Sequence, residues 1–95
     1  MTSMIRVVSL ALALALLPDA LQAADRVSRG RAETTALQLV PGGAILSGGL
    51  EKDKNRNLVW SFDVSIPGSR NVKAIAIDAY TGVVLSNTLE TPEDR

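Results

Sequence analysis

The sequence contains no cysteine and no histidine. Disulfides, thiolate nucleophiles, imidazole bases and the usual zinc sites are excluded together. Only three residues are aromatic, Trp60, Phe62 and Tyr80, too few for a base-stacking platform. Neither sign of charge dominates: 10 Lys and Arg balance 10 Asp and Glu. No net field is present to gather nucleic acid. No apolar run reaches the roughly 20 residues needed to cross a bilayer as a helix. A length of 95 residues leaves room for one small domain.

What is present begins with a short N-terminal segment, "MTSMIR", carrying Arg6. The 11-residue run "VVSLALALALL", apolar except for Ser9, follows, then Pro18 and Asp19. This is the layout of a secretory signal peptide, 1–23, with "LQA" placing a small residue at the cut between Ala23 and Ala24. An uncleaved membrane anchor is the alternative, and the only membrane contact the sequence offers. With no cysteine after the apolar run, a lipoprotein is excluded. The expected destination is outside the cytoplasm, the periplasm first and the extracellular space second. Residues 24–95 remain for a single domain that must be stabilised by helix–sheet packing alone.

Residues 28–40 predict a helix, with Ser28 as N-cap and an apolar stripe of Ala32, Ala36, Leu39 and Val40. Pro41, Gly42 and Gly43 stop it. Strands are predicted over 44–53, 58–66, 72–78 and 83–86. The second alternates most clearly: Leu58, Trp60, Phe62, Val64 and Ile66 face one way, and Val59, Ser61, Asp63 and Ser65 the other. Ile75, Ile77, Val84, Leu46 and Leu50 are assigned to the same buried face. The connections "KNRN", "PGSRN" and "AYTG" are short and rich in turn formers. The expected fold is α+β: one N-terminal helix packed on a three- to four-stranded antiparallel meander sheet. Its expected core contains Leu39, Trp60, Phe62, Val64, Ile75 and Ile77. The last residues, "ETPEDR", are expected to be frayed and solvated.

The stretch "IDAYTGVVLS", 77–86, brings an aspartate close to a Thr-Gly pair. Aspartic peptidase chemistry needs two carboxylates sharing a proton, and no second such loop exists. A structural turn uses every distinctive residue instead. Asp78 accepts hydrogen bonds from backbone N–H groups two or three positions on, and Gly82 supplies a left-handed conformation. "DKNRN", 53–57, starts like a calcium loop but has Leu58 at the sixth position and Val64 at the twelfth. "GAILSGG", 43–49, has Gly49 where a phosphate loop needs lysine. Arg26, Arg29 and Arg31 lie at the helix start, where cations oppose the macrodipole, and are assigned to a solvated face. No serine has a base to activate it, and alternation alone does not bring Asp63 and Asp78 together. No catalytic, cofactor-binding or metal-ligating residue is assigned.

In order, "ALQLVPGG", "ILSGGLEKD", "LVWSFDVSIPG" and "VKAIAIDAYTGVVLS" resemble the PepSY domain family over roughly 28–88. The most specific element is "VWSFDV" followed by "IDAYTGVVL", with Asp78, Thr81 and Gly82 in the family's D-x-x-T-G turn. Two departures are Gly49, where an acidic residue is common, and "NRN" in place of a glycine-containing hairpin. The resemblance implies a helix on a small antiparallel sheet, without catalytic residues. It further implies a non-catalytic exported binding module that contacts or restrains an envelope or secreted peptidase. The alternative is an accessory or sensory module binding a small ligand or a membrane complex. Oligomeric state is not set by the sequence.

Overall fold

The computed structural model describes residues 25–95. The expected cut between Ala23 and Ala24 lies outside the described residues. Helix α1 spans Arg29–Gln38. Ser28 caps it, its Oγ accepting from the Arg31 N–H at 3.2 Å. The helix has 10 residues, short of the roughly 12–15 that are marginal even for good helix formers in isolation. The hydroxyls of Thr34 and Thr35 bond back to the carbonyls of Gly30 and Arg31, a pattern that adds no helix stability. The sheet therefore holds this helix in place.

Four strands follow: β1 Ile45–Lys52, β2 Leu58–Ser65, β3 Val72–Asp78 and β4 Val84–Glu90. They pair antiparallel in the order β1-β2-β3-β4, the meander that the short connections predict. The fold is α+β, with α1 lying over β2 and reaching β1 and β3. Register fixes the faces. Phe62 stands between Gly48 and Ile75, and Trp60 between Leu50 and Ile77, on the helix side. Ser61 stands between Gly49 and Ala76 on the outer side.

The core is small residues against large ones. Ala32, Ala36 and Val40 from the helix meet Phe62, Val64, Ile75 and Ile77 from the sheet. The alanines let the helix approach closely enough for the Phe62 ring to fill the gap, and truncating such a buried ring costs about 3–5 kcal/mol. Trp60 is half-buried against this cluster. Its ring lies parallel to that of Phe62, 6.2 Å between centroids. The Arg29 guanidinium stands 5.8 Å from the Phe62 centroid, so one of the N-terminal arginines covers the core instead of only solvating the helix. Arg29 also pairs with Glu33 at 3.8 Å, an exposed contact of small energetic weight.

Several expectations are corrected. Leu39 is 39 % exposed because the helix ends at Gln38 and its last turn tightens. Leu39 and Val40 donate to the carbonyls three residues back, Ala36 and Leu37, and this rotation delivers Val40 to the core in place of Leu39. Leu46, Leu50 and Val84 are exposed as well. Leu46 lies in a bulge between Ile45 and Ser47, and all three are on edge strands. Val59, assigned to the wet face, is 1 % exposed. It stands on the central strand β2 between Glu51 of β1 and Asp78 of β3, neighbours on both sides that alternation in one strand does not reveal.

The fourth strand runs to Glu90, beyond the 83–86 predicted, and the tail is ordered. Pro92–Asp94 forms a single 3₁₀ turn in which Asp94 Oδ2 accepts from both the Thr91 N–H and its hydroxyl. Arg95 Nη2 donates to the Arg70 carbonyl at 2.6 Å.

Gly48 is required by the aromatic packing. A Cβ at that position would overlap the edge of the Phe62 ring and come within 2.5 Å of the Ser61 carbonyl oxygen. The same test at Gly49 meets nothing. Gly48→Ala is expected to cost about 1–3 kcal/mol through displacement of Phe62. Gly49→Ala is expected to stay within about 0.5 kcal/mol of the wild type or to stabilise it. Urea unfolding of the two variants, side by side, checks the assignment.

Candidate functional site

The one chemically suggestive constellation, Asp78–Thr81–Gly82, sits between β3 and β4. Asp78 Oδ1 accepts from the N–H groups of Tyr80 and Thr81, both at 2.8 Å. Thr81 Oγ1 accepts from the Val83 N–H at 3.2 Å. The Gly82 N–H closes onto the Asp78 carbonyl at 2.9 Å. Gly82 has φ +77°, where a side chain is strained. The two backbone donors, Thr81 first and Tyr80 second, hold the Asp78 carboxyl below its ordinary value. Such a carboxylate is a settled hydrogen-bond acceptor at neutral pH, the opposite of a general acid.

The turn also positions the helix. The Ala79 carbonyl, inside the turn, accepts from the Val27 N–H at 2.7 Å, and the Ala79 N–H donates to the Leu58 carbonyl at 3.1 Å. The Val27 carbonyl in turn accepts from Trp60 Nε1 at 2.8 Å. Residue 27 is thereby held from both sides two positions before the helix begins. Nothing in the sequence patterning identifies this link, because Val27 lies outside every periodic segment.

The other candidates separate. Asp63 and Asp78 share the outer face but stand opposite Ala74 and Val59. Val59 is four residues from Asp63 along β2, so the two carboxylates are roughly 13 Å apart along the strand. Asp63 Oδ2 accepts instead from the Ser47 hydroxyl at 3.3 Å. In the 53–57 loop, Asp53 Oδ1 accepts from the N–H groups of Asn55 and Asn57, both at 2.9 Å. Its carboxylate closes the hairpin, and Arg56 takes the left-handed conformation, φ +67°. Among the described residues no three acidic side chains gather as metal ligands.

What remains is surface. The outer face carries Ser47, Gly49, Ser61, Ala74 and Ala76 in adjacent strands, a flat floor of small side chains on the side of the sheet opposite α1. Two depressions flank it. One is lined by Ser47, Gly49, Glu51, Ser61 and Asp63, the other by the 53–57 loop with Ala76, Leu85 and Ser86. Neither is lined by a residue of α1.

Asp78→Ala is expected to lower stability, Asp78→Asn to lower it less, and Gly82→Ala to cost about 1 kcal/mol or more. Because the Asp78 shift is downward, its contribution is complete above the ordinary aspartate value of 3.8 and is lost as pH falls through the lower folded-state value. Glu93 and Asp94 are shifted down too and titrate in wild type and variant alike. The stability gap between wild type and Asp78→Asn should therefore close on acidification, as read by urea midpoints over a pH series.

With this geometry in view, comparison with known proteins gives one match. The family model described as PepSY, peptidase propeptide and YPEB domain, matches residues 26–88. No curated protein and no solved structure matches the chain. Domains of this kind are generally non-catalytic peptidase propeptides or inhibitor-like modules and occur in exported proteins. No helix among the described residues is long and apolar enough to cross a membrane. The matched span runs from the segment before α1 to Thr88 in β4, and by it the chain belongs to the PepSY domain family.

Proposed function

We propose that this chain is an exported, non-catalytic module that contacts and restrains an envelope or secreted peptidase. The observation that carries the reading is the outer face of the sheet, over which no helix or strand among the described residues packs. Ser61, Ala74 and Ala76 form a flat, small-residue surface at the centre of a rigid sheet, suited to a partner protein. The two depressions that flank this surface are lined by strand and loop residues, on the side a partner protein would meet; the alternative is a sensory module with a ligand pocket beneath the helix. Asp78, the residue nearest to a catalytic appearance, has its carboxylate occupied by the turn.

Adding the purified protein to peptidases of its own envelope is expected to slow at least one of them. Ser61→Arg and Ala74→Lys, on the outer face, are expected to weaken that inhibition about tenfold or more while leaving the unfolding midpoint nearly unchanged. Inhibition indifferent to both substitutions would remove the outer face from the proposal.

Export is the second part of the reading, supported by the apolar segment and by the occurrence of this family in exported proteins. The intact mass of the exported protein is expected to correspond to a chain starting at Ala24. A mature form retaining Met1–Ala23 would make the segment an anchor.

A further inference from the structure

We propose that the depression between Glu51 and Asp63 receives one arginine side chain of the partner protein, a site that rests on the reading of the outer face as the surface a partner meets.

A net charge of zero conceals a division between the two sides of the sheet. Register puts Glu51, Asp63, Asp78 and Glu90 on the outer face, where the strand positions hold no lysine or arginine. The strand cations, Lys52 and Lys73, stand opposite Leu58 and Val64 on the helix side, and Arg29 and Arg31 of α1 add to them there. The Asp78 carboxylate is occupied by its turn, which leaves Glu51, Asp63 and Glu90. Among the described residues the ion pair joins Arg29 to Glu33 within α1, so neither Glu51 nor Asp63 is paired with a cation of the described chain. An outer face of one sign is complementary to a cationic partner and steers its approach.

The depression has the size and lining for one such side chain. Its floor is Gly49 and Ser61, which face each other across β1 and β2. Ser47 and Asp63 close one end, the Ser47 hydroxyl donating to Asp63 Oδ2 at 3.3 Å, and Glu51 closes the other. Ser47 and Glu51 are four residues apart on β1, roughly 13 Å along the strand, with only Gly49 between them on this face. A Cβ added at Gly49 would meet no atom within 4 Å, so the space over the floor is open. Its volume is about 240 Å³, below the roughly 300–1,000 Å³ of pockets that hold small molecules. A side chain carried by a partner fits that size better than a free metabolite does. The lining offers acceptors at both ends, carboxylates and hydroxyls together. A guanidinium answers them with five donors in a planar fork and a permanent charge, whereas an ammonium offers three donors from one point.

The test titrates isotope-labelled full-length protein with the blocked tripeptide Gly-Arg-Gly and, separately, with Gly-citrulline-Gly, its neutral isostere. The arginine peptide should bind saturably, with Kd on the order of 1–10 mM, and shift the amide resonances of Gly49, Ser61 and Asp63. The citrulline peptide should bind at least about tenfold more weakly. Glu51→Gln combined with Asp63→Asn should weaken arginine binding about tenfold. Gly49→Val, which fills the open space, should abolish it. Both variants should keep nearly the wild-type unfolding midpoint. Absence of shifts at these amides overturns the proposal, as does equal binding of the citrulline peptide or wild-type binding by Gly49→Val. Inhibition separates this site from the peptidase reading. Arginine binding in the depression with no peptidase slowed refutes that reading and leaves the site standing. A peptidase slowed equally by the wild type and by the Glu51→Gln, Asp63→Asn protein keeps that reading and overturns the site.

Discussion

The grip on Val27 organises this molecule. Its N–H is held by the Ala79 carbonyl and its carbonyl by the Trp60 indole. The helix that follows is too short and too rich in weak formers to stand alone, so its position depends on where its first residues are pinned. Pinning them requires a turn that points the Ala79 carbonyl at residue 27, and that turn is shaped by the Asp78 carboxylate, the Thr81 hydroxyl and the backbone freedom of Gly82. It also requires a tryptophan on the helix side of β2, steadied by stacking on Phe62. The aspartate that looked most like chemistry thus acts on architecture.

Once the helix is placed, its width decides the rest. A helix is about 10 Å across with side chains, whereas four strands at about 4.8 Å spacing present a broader face. Only the two central strands are fully roofed. Phe62, Val64, Ile75 and Ile77 are buried there, while Leu50, Val84 and Leu89 face the same way on edge strands and stay exposed. The apolar edge of β4 and the flat outer face are both consequences of a single helix serving a four-stranded sheet.

This same constraint explains what could be read in advance. The alternation in β2 located Phe62 and Val64, because a central strand is buried on one side and the pattern records it. The turn was legible because Asp78, Thr81 and Gly82 act within five residues of each other, and local chemistry leaves a local signature. Leu46, Leu50 and Val84 misled because hydrophobicity shows which residues favour burial but not how far the roof extends, and Leu39 because the tightening of the last helical turn leaves no trace in the pattern. Val59 misled in the opposite sense: it stands on the outer face between Glu51 and Asp78 and is buried there, and periodicity within one strand does not encode what its neighbours cover. The end of β4 went unseen because "NTLE" on an edge strand has no buried side to impose alternation. "NRN" was noticed as lacking a glycine, and Arg56 does occupy the left-handed position that glycine would fill without strain. As for the site, a surface of small side chains carries no motif, so the sequence could only point to it through the family.

The contact between Val27 and Ala79 joins positions 52 apart in the chain. At typical synthesis rates of 5–20 residues per second, roughly 3–10 s separate the appearance of the two partners. Until Trp60 appears the leading segment has no partner, and the helix behind it is below the length that persists unaided. The second half of the grip on Val27 waits for the last hairpin, which brings the Ala79 carbonyl and closes the longer loop. A chain organised in this way stays threadable until its C-terminal third is complete.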